Sequence, residues 1–223
     1  MNQPVIPQIK SYKQLRQAVG YIGIALPVVI IIGGLILQHC FELQGSISKY
    51  YHTIMRNYFV GSLCAVALFL WFYRGYDKDP KDKFDIGDNL AGNLAALFAL
   101  GVAFFPCRIE ANDITPCITS IYDHKIIGII HLASAFLFFM TLAYFSIFQF
   151  TKGKKPKKNK IYRFCGYTIV VSLLLIVVYI LILEYKRPFL DKLKPMFILE
   201  TIALWAFGIS WLVKGEALLK KME

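Results

Sequence analysis

The sequence predicts an all-α, polytopic membrane protein: one bundle of six transmembrane helices with both termini on the same side. Three observations predict it. Of 223 residues 57% are hydrophobic and the mean hydropathy is +0.54, more apolar surface than a water-soluble chain of this size can cover. The polar residues gather in short stretches between six apolar runs, each near the roughly 20 helical residues that cross a hydrocarbon core. The 25 Lys and Arg residues are divided unevenly between alternate connecting segments.

The runs fall near 17–38, 57–75, 86–106, 125–149, 163–184 and 195–213. At this length only helices satisfy the backbone in lipid, and the alternation of a membrane β-barrel is absent. Residues 1–223 read as a single domain, because no connecting segment could hold a soluble one. The first run follows a polar, Lys-containing stretch and has no small-residue cleavage site after it. It therefore predicts a retained helix and not a signal peptide, kinked at Pro27. The second begins "MRNYFVGSLC" and ends "WFYRGYDKD", whose Trp71, Phe72, Tyr73 and Tyr76 suit an interfacial aromatic belt.

The third run, "FDIGDNLAGNLAALFALGVAFFP", is the least apolar. Ala91, Ala95, Ala99 and Ala103 recur at every fourth position beside Gly92 and Ala96. Such a small face lets helices approach closely, which predicts a place at the bundle centre. Asp85 or Asp88 would cap its start. Asn89 and Asn93, one turn apart, suit interhelical hydrogen bonds better than an ion path. The fourth run is rich in aromatic residues. The fifth, nearly pure aliphatic, reads as peripheral. The sixth carries Glu200. The two halves of the chain do not match, which argues against an inverted-repeat transporter.

A net charge of +11 could suggest a nucleic-acid partner, but its distribution excludes that reading. The segments on the side of the termini hold 17 of the 25 basic residues, seven of them between Lys152 and Arg163; the opposite segments hold eight. The positive-inside bias predicts cytoplasmic termini in a plasma (bacterial inner) membrane. It makes "TKGKKPKKNK" an inner loop facing anionic headgroups. Cys64 and Cys165 read as small core residues. Cys40, Cys107 and Cys117 map to the outer side, where disulfides persist. A Cys107–Cys117 bridge, leaving Cys40 over, is one expectation; spacing alone does not decide which two pair.

Candidate chemistry gathers on that outer side. All four histidines, His39, His52, His124 and His131, map there. His131 and Glu200 lie inside predicted spans at similar depth, roughly 8–9 Å below the outer helix ends, and an intramembrane ionisable residue is a functional candidate by default. The stretch "HCFELQGSISKYYHT", residues 39–53, brings Ser46, Ser48, Tyr50, Tyr51 and His52 to the same surface. On an α-helix Ser48 and His52 would share a face, with Ser48 as nucleophile, His52 as base and Glu200 orienting it. His52, His131 and Glu200 could instead ligate zinc from three separate segments. A third reading is a hydrogen-bonded His131–Glu200 pair joining the fourth and sixth helices. If the cluster is only structural, His52→Ala should cost little stability.

The motifs "SISKYYHT", "RNYFVGSLC", "YRGYD", "AGNLAALFALGVAFFP", "LAYFSIFQFTK" and "FGISWLVKGE" resemble a group of six-helix bacterial integral membrane proteins, over residues 45 to 216. That resemblance implies fold and location but no activity. A weaker likeness is to the CREST superfamily of transmembrane hydrolases, whose Ser-x-x-x-His element Ser48 and His52 match. It implies zinc-dependent hydrolysis, although the chain has six predicted helices where those proteins have seven and lacks their final His-x-x-x-His pair. Two expectations follow. One is a membrane-embedded hydrolase of lipid or amide bonds using Ser48, His52, His131 and Glu200. The other is a non-enzymatic lipid- or partner-binding protein, or small transporter, in which these residues form a structural or proton-linked cluster.

Overall fold

A computed structural model describes residues 7–81, 83, 85–109, 114–153, 155–183 and 192–219. Among the described residues there are six helices and no strands. They are α1 (Pro7–Gln38), α2 (Arg56–Trp71), α3 (Gly87–Phe104), α4 (Lys125–Tyr144), α5 (Pro156–Val178) and α6 (Pro195–Lys214). α4 continues as a π turn, Phe145–Gln149, and α5 as another, Tyr179–Leu183. Five helices are long and apolar enough to cross a membrane; α2, with 16 residues, is shorter. The chain is a membrane protein. The predicted end of the fifth run at residue 184, and the charges of Lys154, Lys186, Arg187, Lys220 and Lys221, lie outside the described residues.

Each helix packs on its neighbours in sequence, and α6 packs back on α1, so the six form a closed ring. Burial in lipid supplies no hydrophobic drive between helices, so close packing of small residues has to supply it. A Cβ on Gly20 would sit 2.8 Å from the Gly208 carbonyl oxygen, and one on Gly208 would sit 2.7 Å from that of Gly20. The α1–α6 crossing therefore needs glycine on both sides. The Ala91, Ala95 and Ala99 stripe is wholly buried, but α3 belongs to the ring and does not occupy the bundle centre. Leu90, Leu97 and Phe104 on its other face are exposed, because a small stripe serves only one face.

The helix ends depart from the apolar runs for local reasons. α1 starts ten residues before its run because its polar first turns dock. Lys13 pairs with Glu216 at 2.6 Å, and the Gln17 amide donates to the Gly215 carbonyl at 2.7 Å. α2 stops at Trp71, and Tyr73 turns inward instead of joining an interfacial belt. It is fully buried against Tyr12, Phe145 and Trp211. α3 ends at Phe104 because Phe105 precedes Pro106 and takes an extended conformation. α5 begins early, with Pro156 at its first turn.

At the end of the bundle where α1 stops and α6 starts, a disulfide joins Cys40 to Cys117, with Cα atoms 5.6 Å apart. This corrects the Cys107–Cys117 expectation. The Gln38 amide donates to the Cys117 carbonyl at 2.8 Å, which seats the 114–120 segment over the end of α1. Cys107 keeps its thiol.

Candidate functional site

The 39–53 stretch is a docked structural unit with two different faces. Residues Ser48–His52 form a 3₁₀ helix, not an α-helix. At three residues per turn, positions i and i+4 lie a third of a turn apart. Ser48 and His52 therefore do not share the face that a nucleophile–base pair needs, and they serve separate places.

Ser48 goes with Glu200. The Ile47 N–H donates to Glu200 Oε2 at 2.6 Å, and the Phe197 N–H of α6 donates to the Gly45 carbonyl at 3.1 Å. These two bonds dock the stretch onto the first turns of α6, and Tyr50 packs on Phe197. A carboxylate accepting from the N–H groups that open a short helix satisfies donors with no partner inside it. Glu200 also stands between two cavities. One, about 40 Å³, is interior and lined by Leu26, Ile47, Ser48, Phe59 and Phe138 among others. The second, about 380 Å³, is an open apolar crevice between α4, α5 and α6, and Glu200 is its only charged lining residue among the described residues. Its walls include Leu132, Phe136, Leu173, Ile176 and Met196.

His52 goes with His131. His52 is fully buried, with Nδ1 2.9 Å from the Ser120 carbonyl and Nε2 2.8 Å from the Cys107 carbonyl. A neutral ring donates to only one carbonyl; the imidazolium satisfies both. The His52 carbonyl in turn accepts from the Thr119 N–H at 2.8 Å. His131 Nδ1 donates to the Phe105 carbonyl at 2.7 Å, while its Nε2 is buried without a partner. The two histidines thus hold carbonyls on either side of Pro106, where α3 ends. The last carbonyls of a helix lack internal partners and carry partial negative charge, and histidine there satisfies both needs. His39 and His124 are exposed.

His52 and His131 come together on one segment, and Ser48 and Glu200 on one cavity. The expected His131–Glu200 bond between α4 and α6 is replaced by these separate partnerships. The donor set does not fit zinc: both His52 nitrogens already face carbonyls, and Glu200 belongs to the other cluster. Among the described residues no group of three or more His, Cys, Asp or Glu side chains converges to hold a metal ion.

The opposite end carries polar structure that the apolar runs conceal. Asp85 accepts from the N–H groups of Asp79 at 2.7 Å and Gly87 at 2.9 Å. It also accepts from Gln149 at 2.8 Å, from the Tyr144 hydroxyl at 3.3 Å, and from Lys152 Nζ at 2.6 Å. Burial alone would raise its carboxyl; Lys152 and the backbone donors outweigh that and hold it well below the usual carboxylate range. The π turn of Phe145–Gln149 is what brings Gln149 to this carboxylate. Asp85 thus bonds the first N–H of α3, as a capping residue would. Asp88 instead accepts from the Tyr76 N–H at 3.0 Å.

Comparison of the chain with protein-family models, with curated proteins and with solved structures finds no match.

Proposed function

We propose that the chain is a six-span, lipid-binding protein of the bacterial inner membrane, with cytoplasmic termini, that takes the chain of a bilayer lipid into the α4–α5–α6 crevice. The observation that carries this reading is the crevice itself: about 380 Å³, apolar, with the carboxyl of Glu200 at its edge. Its helices present exposed Ile129, Leu132, Phe136 and Leu181 around it, the surface that acyl chains cover. Glu200 lies five residues into α6, roughly 8 Å below the helix start. In a bilayer that is the level where headgroup joins chain, and lipid hydroxyls or amides there could donate to the carboxyl. The orientation rests on two features at opposite ends: the Cys40–Cys117 disulfide at one and the basic segments at the other.

Hydrolysis by Ser48 and His52 gains no support, because both His52 nitrogens are committed to backbone carbonyls. The test is photocrosslinking of the full chain in vesicles with a phospholipid carrying a diazirine on its acyl chain. Label should concentrate on residues 129–139 and 173–181 and fall severalfold in Ala133→Trp, which fills the crevice from its exposed side. Label spread evenly over other exposed positions, such as Leu68 and Phe164, would refute the reading.

A further inference from the structure

The end of the bundle where α1 starts and α6 stops holds a third cavity, about 300 Å³, lined by Arg16, Tyr76, Phe150, Lys155, Lys158 and Lys214 among others. This is within the size range of small-molecule sites. Among the described residues four cationic side chains line it against one carboxylate, Glu216. That carboxylate pairs with Lys13 at 2.6 Å, whose ammonium, with the nearby charges of Lys158 and Lys155, holds it below its usual range.

The cations are built in and not merely near the surface. Lys158 is 4% exposed. Lys214 Nζ stands 4.8 Å from the Tyr76 ring centre, 5.1 Å from Phe150 and 6.0 Å from Tyr162. Among the described residues neither ammonium makes a hydrogen bond or ion pair. Arg16 lies over Tyr12, 4.3 Å from its ring centre, and its Nε is buried without a hydrogen-bond partner. Lys155, Lys158 and Asn159 belong to the start of α5, whose helix dipole presents its positive end here. The Asn159 amide donates to the Thr151 and Gly153 carbonyls at 3.0 and 2.9 Å, pinning the basic loop as one wall.

Cations gathered in one space repel one another. Lys158 and Lys214 line the same cavity, so a single anion there would meet both charges. We infer that this cavity binds a phosphate-bearing anion, its oxygens between Lys158, Lys214 and Arg16. Two sources share that chemistry: the headgroup of an anionic lipid, for which basic pockets between helices are a known setting, and a soluble phosphate compound. The site is independent of the outer crevice, which lies at the other end of the bundle.

The experiment is binding to the purified full-length protein in neutral detergent, by thermal shift and native mass spectrometry. The probes are dioctanoyl phosphatidate, dioctanoyl glycerol and inorganic pyrophosphate. Phosphatidate should bind and dioctanoyl glycerol should not. Lys158→Gln and Lys214→Gln should each weaken binding about tenfold or more, as loss of a charge-assisted contact does. Because Lys214 also packs among rings, Lys155→Gln, on the exposed rim, is a second variant; it should weaken binding severalfold with the melting temperature unchanged. Pyrophosphate that binds and displaces phosphatidate assigns a soluble ligand. Phosphatidate binding without pyrophosphate binding assigns a lipid. No binding of either probe, or binding unaltered in all three folded variants, would overturn the inference. Loss of acyl-chain crosslinking at the outer crevice would leave it standing.

Discussion

His52→Ala is the substitution that separates a clamp from a catalyst. The side chain is fully buried, and its two ring nitrogens stand 2.9 Å from the Ser120 carbonyl and 2.8 Å from the Cys107 carbonyl. Alanine leaves two carbonyls without the ring. A buried acceptor left unsatisfied costs about 1–3 kcal/mol; the vacated ring adds a cavity cost, while relaxation and water entry reduce the total. The expected loss is about 3–4 kcal/mol. His131→Ala removes one bond, to Phe105, and also removes the unpartnered Nε2, so it should cost less, about 1–2 kcal/mol. His52→Phe keeps a ring and loses both nitrogens, so it should recover the cavity part alone. The two histidines hold one segment, so the double variant should depart from additivity by about 0.5–3 kcal/mol. Equilibrium unfolding in mixed micelles, followed by tryptophan fluorescence and circular dichroism, reads these values. A His52→Ala variant within about 0.5 kcal/mol of wild type, or less destabilised than His131→Ala, would refute the reasoning.

Two further outcomes are expected. Cys40→Ser opens a link between residues 77 apart in sequence; loop-closure entropy for that span corresponds to roughly 4 kcal/mol, so melting should fall clearly under oxidising conditions. Reduction should lower wild type and Cys107→Ser alike to that value, Cys107→Ser should match wild type under oxidising conditions, and a melting temperature unchanged by Cys40→Ser would reject the pairing. Asp85, with its folded pKa held low, contributes stability fully present above the ordinary carboxyl value, about pH 4. That contribution is lost as pH falls toward the depressed value. Asp85→Asn should cost about 3 kcal/mol at pH 7 and flatten the decline below pH 4, measured by melting temperature from pH 7 to 3. An unaltered acid limb would exclude Asp85 as its source.

The apolar runs made the helices legible because lipid leaves the backbone no alternative to helix. They could not mark where α1 begins, because its polar first turns are helical only through docking to Gly215 and Glu216. The small stripe on α3 was readable as a packing face, but not the ring position, since a one-sided stripe fits either. The His52, His131, Ser48 and Glu200 cluster was legible in membership and not in pairing. Ser48 and His52 look like one face on an α-helix, and the 3₁₀ geometry divides them. A histidine in a connecting segment also reads as dispensable, and only the fold shows that it holds the end of α3. The basic cavity was hidden for another reason. Its cations come from α1, from the start of α5 and from the end of α6, and each looked like a topology signal in its own segment.

Polarity alone did not separate structural from ligand-binding groups in this chain; partnering does. Asp85 is buried and charged, yet five donors surround it, and nothing is left for a ligand. His52 is equally spent on two carbonyls. Such groups hold irregular backbone where helices end, the one place in a membrane bundle where carbonyls and N–H groups lack internal partners. Lys158 and Lys214 pose the opposite case. Among the described residues neither ammonium makes a hydrogen bond or ion pair, and rings stand beside Lys214. Among the described residues four cations line the cavity with one carboxylate, Glu216, so positive charge is left in excess there. The charge that completes this site is therefore one that arrives from outside the chain.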